Sequence, residues 1–268
     1  MSLHNKVIVI TGAGSGIGAA CARAFASQGA RVALIGRREP PLQALALETG
    51  GLALAGDAAD GAHWTDALAR IHARWGRVDG LLACAGGLGM GSALATDDTA
   101  WRAALSVNLD TAFVSARACL PDLIAQRGSM VLMASIASLA AVPEACGYVT
   151  AKHALLGLTR SLAKDFGPAG VRVNAVCPGW VRTPMADLEM QPLMAAYGED
   201  LKAAYRRVSA DVPLRRPAEP EEVAAVCRFL LSDEAAIVHG AWLAADGGAT
   251  AVDVPTLAYS RLAAEAAG

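Results

Sequence analysis

The stretch Val7-Ile8-Val9-Ile10, followed without a break by Thr11-Gly12-Ala13-Gly14-Ser15-Gly16-Ile17-Gly18, decides the fold of this chain. Four consecutive β-branched residues make a short, wholly apolar run, the mark of a strand buried on both faces. The glycines free the backbone for a tight turn, and residues 16–28 continue at helical spacing. Strand, Gly-rich turn and helix start in that order aim the unpaired N–H groups of a helix N-terminus at one point, which suits an anion. A ligand-free tight turn is the plainer alternative. Placement after the first strand and at the first helix supplies the context that a dinucleotide fingerprint needs, although the spacing reads T-G-x-x-x-G-x-G and not G-x-G-x-x-G. No Lys-Ser or Lys-Thr follows the glycines, which disfavours a P-loop NTPase. A bound dinucleotide is expected, held by Gly12, Gly14, Ser15, Gly16, Ile17 and Gly18.

Outward from this turn the same unit recurs. Strands are expected at 31–35, 52–54, 81–83, 130–134, 171–176 and 241–244. Helical patterns cover 40–48, 62–75, 97–124, 148–166 and 221–231, the long one interrupted near Pro121. Apolar strands alternating with helices indicate an α/β protein with a Rossmann-type, doubly wound parallel β-sheet clad on both faces. No Pro/Ser-rich linker divides the chain, so 1–268 reads as one domain. Residues 184–213 fall where a substrate-covering segment would lie, and 249–268 form a C-terminal tail.

Composition excludes several classes. Of 268 residues 54% are apolar and the net charge is -2, which rules out disorder. With 25 acidic against 23 basic residues and a pI near 6.2, nucleic-acid binding by phosphate neutralisation is not expected. Mean hydropathy is +0.37, yet no stretch approaches ~18 uninterrupted apolar residues, so no membrane association is expected. Met1-Ser2-Leu3-His4-Asn5-Lys6 lacks the build of a signal peptide. The six cysteines lie at least 27 residues apart without a C-x-x-C pair and read as reduced core thiols of a cytoplasmic protein. The five histidines have no ligand spacing, and no metal site is expected.

The end of the second strand distinguishes NAD from NADP. An acid there would bond the ribose 2′-OH, whereas an arginine would accept a 2′-phosphate. The chain reads Leu34-Ile35-Gly36-Arg37-Arg38, with glycine at the carboxylate position and two guanidiniums after it. NADP is favoured and NAD stays the alternative, since Arg37 and Arg38 would also fit a solvated turn paired with Glu39. Asp57, with Ala58 beside it, follows the third strand and is the natural partner of an adenine amino group.

Tyr148 and Lys152 stand four residues apart at the start of a helix and share a face, and Ser135 lies just past the fifth strand. A phenol with pKa near 10 is a poor base at pH 7, and an adjacent ammonium is expected to lower it. Tyr…Lys spacing alone usually marks a surface pair. Together with T-G-A-G-S-G-I-G at 11–18, Asn108 in S-V-N-L, Y-V-T-A-K at 148–152 and P-G-W-V-R-T at 178–183, it resembles the short-chain dehydrogenase/reductase family in its short single-domain branch, from Lys6 to about Gly248. The resemblance implies that Tyr148 is the proton donor to a carbonyl. It makes Lys152 the residue that tunes Tyr148 and holds the nicotinamide ribose, Ser135 the partner of the substrate oxygen, and Asn108 the support of a proton-relaying water. It adds Ala85, Gly86, Pro178, Gly179, Val181 and Thr183 to the cofactor contacts, with Thr183 at the carboxamide. One departure stands out: the family's N-N-A-G is Ala83-Cys84-Ala85-Gly86 here, so the bonds of both amides must be replaced or lost.

The expected activity is hydride transfer between NADP(H) and a ketone or secondary alcohol. An NAD-dependent alcohol, sugar or steroid dehydrogenase is the alternative within the family, and a non-catalytic nucleotide sensor the alternative outside it. A sensor needs no proton machinery. Gly87-Leu88-Gly89-Met90-Gly91 and residues 136–146 are expected to complete the pocket. Met185, Leu188, Met190, Leu193, Met194, Tyr197 and Tyr205 either line it or pack the covering segment down. Arg206, Arg207, Arg215 and Arg216 read as solvated. The resemblance further implies a homo-oligomer, a tetramer or dimer, joined through the helices starting near Asp97 and Tyr148 and the last strand.

Overall fold

The computed structural model describes residues 3–259 and 262; the remainder of the 249–268 tail lies outside the described residues. Seven strands form one parallel sheet in the order β3-β2-β1-β4-β5-β6-β7. These are β1 (Val7–Thr11), β2 (Arg31–Gly36), β3 (Leu52–Ala55), β4 (Gly80–Ala83), β5 (Ser129–Met133), β6 (Arg172–Pro178) and β7 (Trp242–Ala245). Along β1, Val7 and Val9 enter the core on one face and Ile8 and Ile10 the core on the other. That is the period-2 alternation of a strand covered twice. Each such side chain, buried completely, contributes ~1.5–3 kcal/mol.

One face carries α3 (Gly61–Trp75), α5 (Thr111–Gln126) and α6 (Cys146–Phe166). The other carries α1 (Gly16–Ser27), α2 (Glu39–Thr49) and α9 (Pro220–Leu231), with α1 packed against α9. Pro40 and Pro41 sit at the start of α2, where their missing N–H groups cost nothing. Asp60 and Asp97 cap α3 and α4 (Asp98–Leu105) by accepting from Ala62 and Ala100 N–H.

One expectation needs correction. The long pattern at 97–124 is not interrupted near Pro121. Pro121 lies inside α5 on an exposed position, where water can serve the carbonyl that loses its N–H partner. The interruption comes earlier, as a π turn at Ser106–Asp110 between α4 and α5, and it carries Asn108. The covering segment is also regular, with α7 (Pro184–Tyr197) and α8 (Leu201–Val208) capped by Thr183 and Asp200.

The sheet order reverses between β1 and β4. A crevice therefore opens beyond their carboxyl ends, the usual ligand position in a doubly wound sheet. The Gly-rich turn follows β1 there and the 84–86 turn follows β4. Among the described residues no helix is long and apolar enough to cross a membrane, and no His/Cys/Asp/Glu group could hold a metal.

Candidate active site

The Gly-rich turn is built by close approach. Gly12 has φ +67, and a side chain there would stand 2.8 Å from the Cys84 carbonyl. A side chain on Gly18 would overlap the Gly12 carbonyl, so the first turn of α1 packs onto the loop beneath it. Helix α1 lacks the side-chain cap that α3, α4, α7 and α8 have, and its first turn carries no acid. Ser15 instead accepts from Arg38 Nη2 at 3.3 Å. The leading N–H groups of α1 stay available at the crevice, which fits a pyrophosphate.

The Ala83-Cys84-Ala85-Gly86 turn is held without the missing amides. The buried Thr11 hydroxyl accepts from both Cys84 N and Ala85 N at 3.0 Å. Asn108 Oδ1 accepts from Gly87 N at 3.1 Å, while its Nδ2 donates to the Ala104 carbonyl at 3.1 Å. Asn108 is 1% exposed, and both ends of its amide are thus engaged. Thr11 was not singled out in the sequence, because a strand-end threonine carries no sign of a partner 73 residues away.

Ser135, Tyr148 and Lys152 meet at the carboxyl ends of β4, β5 and β6. Ser135 leaves β5 and accepts from Ala137 N at 3.1 Å, which fixes the short turn that carries its hydroxyl. Tyr148 and Lys152 lie on α6, whose first N–H groups are taken by the 89–91 backbone: Cys146 N donates to Gly91 O and Tyr148 N to Gly89 O. The Lys152 ammonium donates to the Met133 carbonyl at 3.0 Å and lies 5.6 Å from the Tyr148 ring centroid. A carbon added at Gly86 would stand 3.2 Å from Asn108 Oδ1 and 3.6 Å from Lys152 Nζ, so both polar ends converge on one piece of backbone.

The electrostatics differ from expectation at Tyr148. Burial raises its phenol above the ordinary value; the Ser135 hydroxyl opposes this and the Glu189 carboxylate adds to it. The anticipated lowering by Lys152 is absent, because the ammonium faces the ring and Met133 and is itself desolvated. Burial pushes Lys152 down to about 8, and nearby Cys84 and Cys177 pull weakly the other way. Both thiols are held up, at about 12 and about 11, so they stay neutral beside the lysine.

At the other end of the crevice, Gly36 closes β2. A side chain there would meet nothing nearer than Leu42 at 3.6 Å. Arg37 and Arg38 are exposed, and neither pairs with Glu39, which instead accepts from Gln43. The Asp57 carboxylate accepts from Ala59 N at 2.9 Å, and Ala58 is buried. His63, overlooked in the sequence, packs on Gly56 with a buried, unpartnered Nε2.

The family profile described as Enoyl-(Acyl carrier protein) reductase matches residues 12–250. "Protein MoaE" of Klebsiella aerogenes is 55% identical over 258 residues, 95% of this chain and 99% of that one. 2-(S)-hydroxypropyl-CoM dehydrogenase 3 of Xanthobacter autotrophicus is 39% identical over 256 residues, 93% of this chain and 98% of that one. The chain belongs to the short-chain dehydrogenase/reductase family. Among solved structures of similar fold, L-sorbose reductase from Gluconobacter frateurii, complexed with NADPH and L-sorbose, has TM-score 0.86 at 29% identity and covers 92% of this chain and 97% of its own.

As a short-chain dehydrogenase/reductase, the protein is an oxidoreductase of alcohol and ketone groups. Its covering segment follows β6 directly. Pro178 ends that strand, Gly179 packs against Asp246, and Val181 is buried and bridged to Ala218. Thr183 accepts from Ala186 N at 3.2 Å to cap α7, and its methyl carbon would stand 3.1 Å from a carbon added at Gly16. Covering segment and phosphate turn therefore meet. Met190 and Tyr205 are buried and pack the segment down, while Met185, Leu188 and Tyr197 remain exposed. Arg207 and Arg216 pair with Glu199 and Glu222.

Proposed function

We propose that this chain moves a hydride between NADP(H) and a ketone or secondary alcohol, with Ser135, Tyr148, Lys152 and Asn108 as its proton machinery. The observation that carries this reading is the convergence of Tyr148 and a buried Lys152 at Gly86, past the ends of β4 and β5. A nicotinamide, when bound, supplies or accepts the hydride. The Tyr148 phenol, kept protonated by burial, is in the form needed to give its proton to a carbonyl oxygen during reduction. The Ser135 hydroxyl beside it donates a hydrogen bond to that oxygen. Lys152, pushed down to about 8, exchanges protons close to neutral pH and can restore the phenol. Asn108 is a positioning residue: it ties the π turn to Gly87 and so keeps Gly86 before Lys152.

The cofactor contacts follow the same geometry. Gly12, Gly14, Ser15, Gly16, Ile17 and Gly18 cradle the pyrophosphate, and Asp57 and Ala58 lie at the adenine. Ala85 and Gly86 flank the adenosine side, and Pro178, Gly179, Val181 and Thr183 the nicotinamide. Arg37 has no ion pair among the described residues, and Arg38 donates a 3.3 Å hydrogen bond to Ser15 without an acidic partner among them, which supports a 2′-phosphate partner and hence NADP. The NADPH held by the L-sorbose reductase accords with it. Six thiols free of disulfides support a cytoplasmic setting. Exposed Phe113 and Ile124 on α5 and Trp242 on the edge strand support a homo-oligomer.

Fluorescence titration with NADPH and NADH, followed by turnover over ketones and secondary alcohols, tests the reading. NADPH is expected to bind at least tenfold tighter, a difference of ~1.4 kcal/mol. Preference for NADH would overturn the cofactor assignment, and absence of hydride transfer with either would overturn the function.

A further inference from the structure

Residues 87–91 and the end of the 136–146 segment meet in one structure. Gly91 pairs with Ala145 in an isolated parallel bridge. Cys146 N donates to the Gly91 carbonyl at 3.1 Å and Tyr148 N to the Gly89 carbonyl at 3.3 Å. Helix α6 has no side-chain cap and no acid in its first turn, so the 89–91 backbone accepts its leading N–H groups instead. Glycine permits that approach: a side chain on Gly89 would stand 2.8 Å from Ala104 Cβ and 3.1 Å from Tyr148 N. The strap at 87–92 is therefore the cap of the helix that carries Tyr148.

Glu144 fastens this strap twice. Its carbonyl accepts from Gly91 N at 2.6 Å and its carboxylate from Ser92 N at 2.9 Å. Its backbone lies in the left-handed region, with φ +51. That conformation is disfavoured for a glutamate and persists where surrounding bonds over-determine it. Asn108 holds the strap at Gly87 N, and the Thr96 hydroxyl donates to the Ser92 carbonyl at 2.8 Å. The plainer alternative is a surface turn, since Glu144 is exposed and a single solvated hydrogen bond contributes little. Against it stands the placement: both bonds of Glu144 end on the segment that accepts the Cys146 and Tyr148 N–H groups.

Tyr148 lies in the first turn of α6. Lys152 lies one turn deeper, 5% exposed and bonded to the Met133 carbonyl. Loosening the strap would let the first turn fray while the lysine stays anchored. We propose that Glu144 is a positioning residue of the reaction, which locks residues 89–92 onto the start of α6 and so fixes the place of the Tyr148 phenol. The proposal rests on the reading of Tyr148 as the proton donor in hydride transfer.

Three variants test it. Glu144→Ala removes the acceptor of Ser92 N and keeps the disfavoured backbone, Glu144→Gly removes the acceptor and the strain, and Glu144→Gln keeps an acceptor oxygen. Each is assayed with NADPH and the ketone that the wild type reduces fastest, alongside NADPH titration and amide hydrogen exchange. In Glu144→Ala kcat and kcat/KM are expected to fall together by roughly tenfold, as for a misplaced reacting group. NADPH affinity should stay within about twofold, and exchange should quicken at Cys146 and Tyr148 but not beyond Lys152. Glu144→Gly should lose less, and Glu144→Gln should stay within about threefold of wild type. A Glu144→Ala kcat within about twofold of wild type, a loss shared in full by Glu144→Gln, or unchanged exchange at Tyr148 would overturn the proposal while leaving the oxidoreductase reading intact. A wild type that binds NADPH and reduces no ketone would overturn both.

Discussion

Replacing Thr11 by valine removes one oxygen and little else. The residue stays β-branched, keeps its shape and remains in β1, so strand propensity and packing hardly change. Its hydroxyl, however, is the sole protein acceptor shown for two backbone donors, Cys84 N and Ala85 N, each at 3.0 Å, and Thr11 is 0% exposed. Each donor left without an acceptor costs ~1–3 kcal/mol, and burying the new methyl group returns ~0.8 kcal/mol. The net expected loss is about 1–5 kcal/mol, concentrated in the turn at the end of β4. Asn108 and Thr111 still hold Gly87 N and the Ala85 carbonyl, so the fold persists while that turn loosens. Urea denaturation reads the global loss, and hydrogen exchange at Cys84 and Ala85 reads the local one. NADPH is expected to bind about tenfold more weakly if, as proposed, this turn walls the adenosine side. Thr11→Ser, which keeps the acceptor, is the control. A Thr11→Val protein within ~0.5 kcal/mol of wild type, with unchanged protection at both amides, would refute the reasoning.

Lys152 gives a prediction with a sign. The folded protein releases its proton near pH 8 and the unfolded chain near 10.5, so the wild type gains stability as pH rises between these values, by ~3 kcal/mol in full. Lys152→Met is therefore expected to raise Tm relative to wild type at pH 7, with an advantage that shrinks toward pH 10, and to abolish turnover; a pH-independent difference would contradict the burial argument. Gly36→Asp meets no atom closer than Leu42 at 3.6 Å, so its Tm should stay within a few degrees of wild type. Its carboxylate would repel a 2′-phosphate, and the ratio of NADPH to NADH affinity should fall at least tenfold, measured by titration. Gly18→Ala would place a carbon onto the Gly12 carbonyl; a soluble variant with wild-type Tm and cofactor affinity would contradict the packing described.

The parallel sheet was legible because β-branched runs such as Val7-Ile8-Val9-Ile10 are apolar on both faces, and both faces are buried. The π turn was not, since Ser106-Val107-Asn108-Leu109-Asp110 has the composition of an ordinary helix and differs only in its hydrogen bonding. The helices at 184–208 did leave signals: Thr183-Pro184 and Asp200 are start signs, and Gly198 is a left-handed stop. At the site, spacing put Tyr148 and Lys152 on one helix face, and the resemblance to the family gave them and Ser135 their roles. Thr11 with Cys84 and Asn108 with Gly87 come together only through the sheet order and the π turn, which local spacing does not encode. The charge state of Tyr148 also escaped, because it depends on burial more than on the neighbouring lysine.

The central claim is that Tyr148 is the acid and base of a hydride transfer. Tyr148→Phe removes the hydroxyl alone and leaves the ring under the Lys152 ammonium. Measured side by side, NADPH affinity should stay within about threefold of wild type while kcat falls by ~10²–10⁴, the range expected of a lost general acid. A Tyr148→Phe enzyme that keeps kcat within about tenfold of wild type, with cofactor bound, would contradict the account.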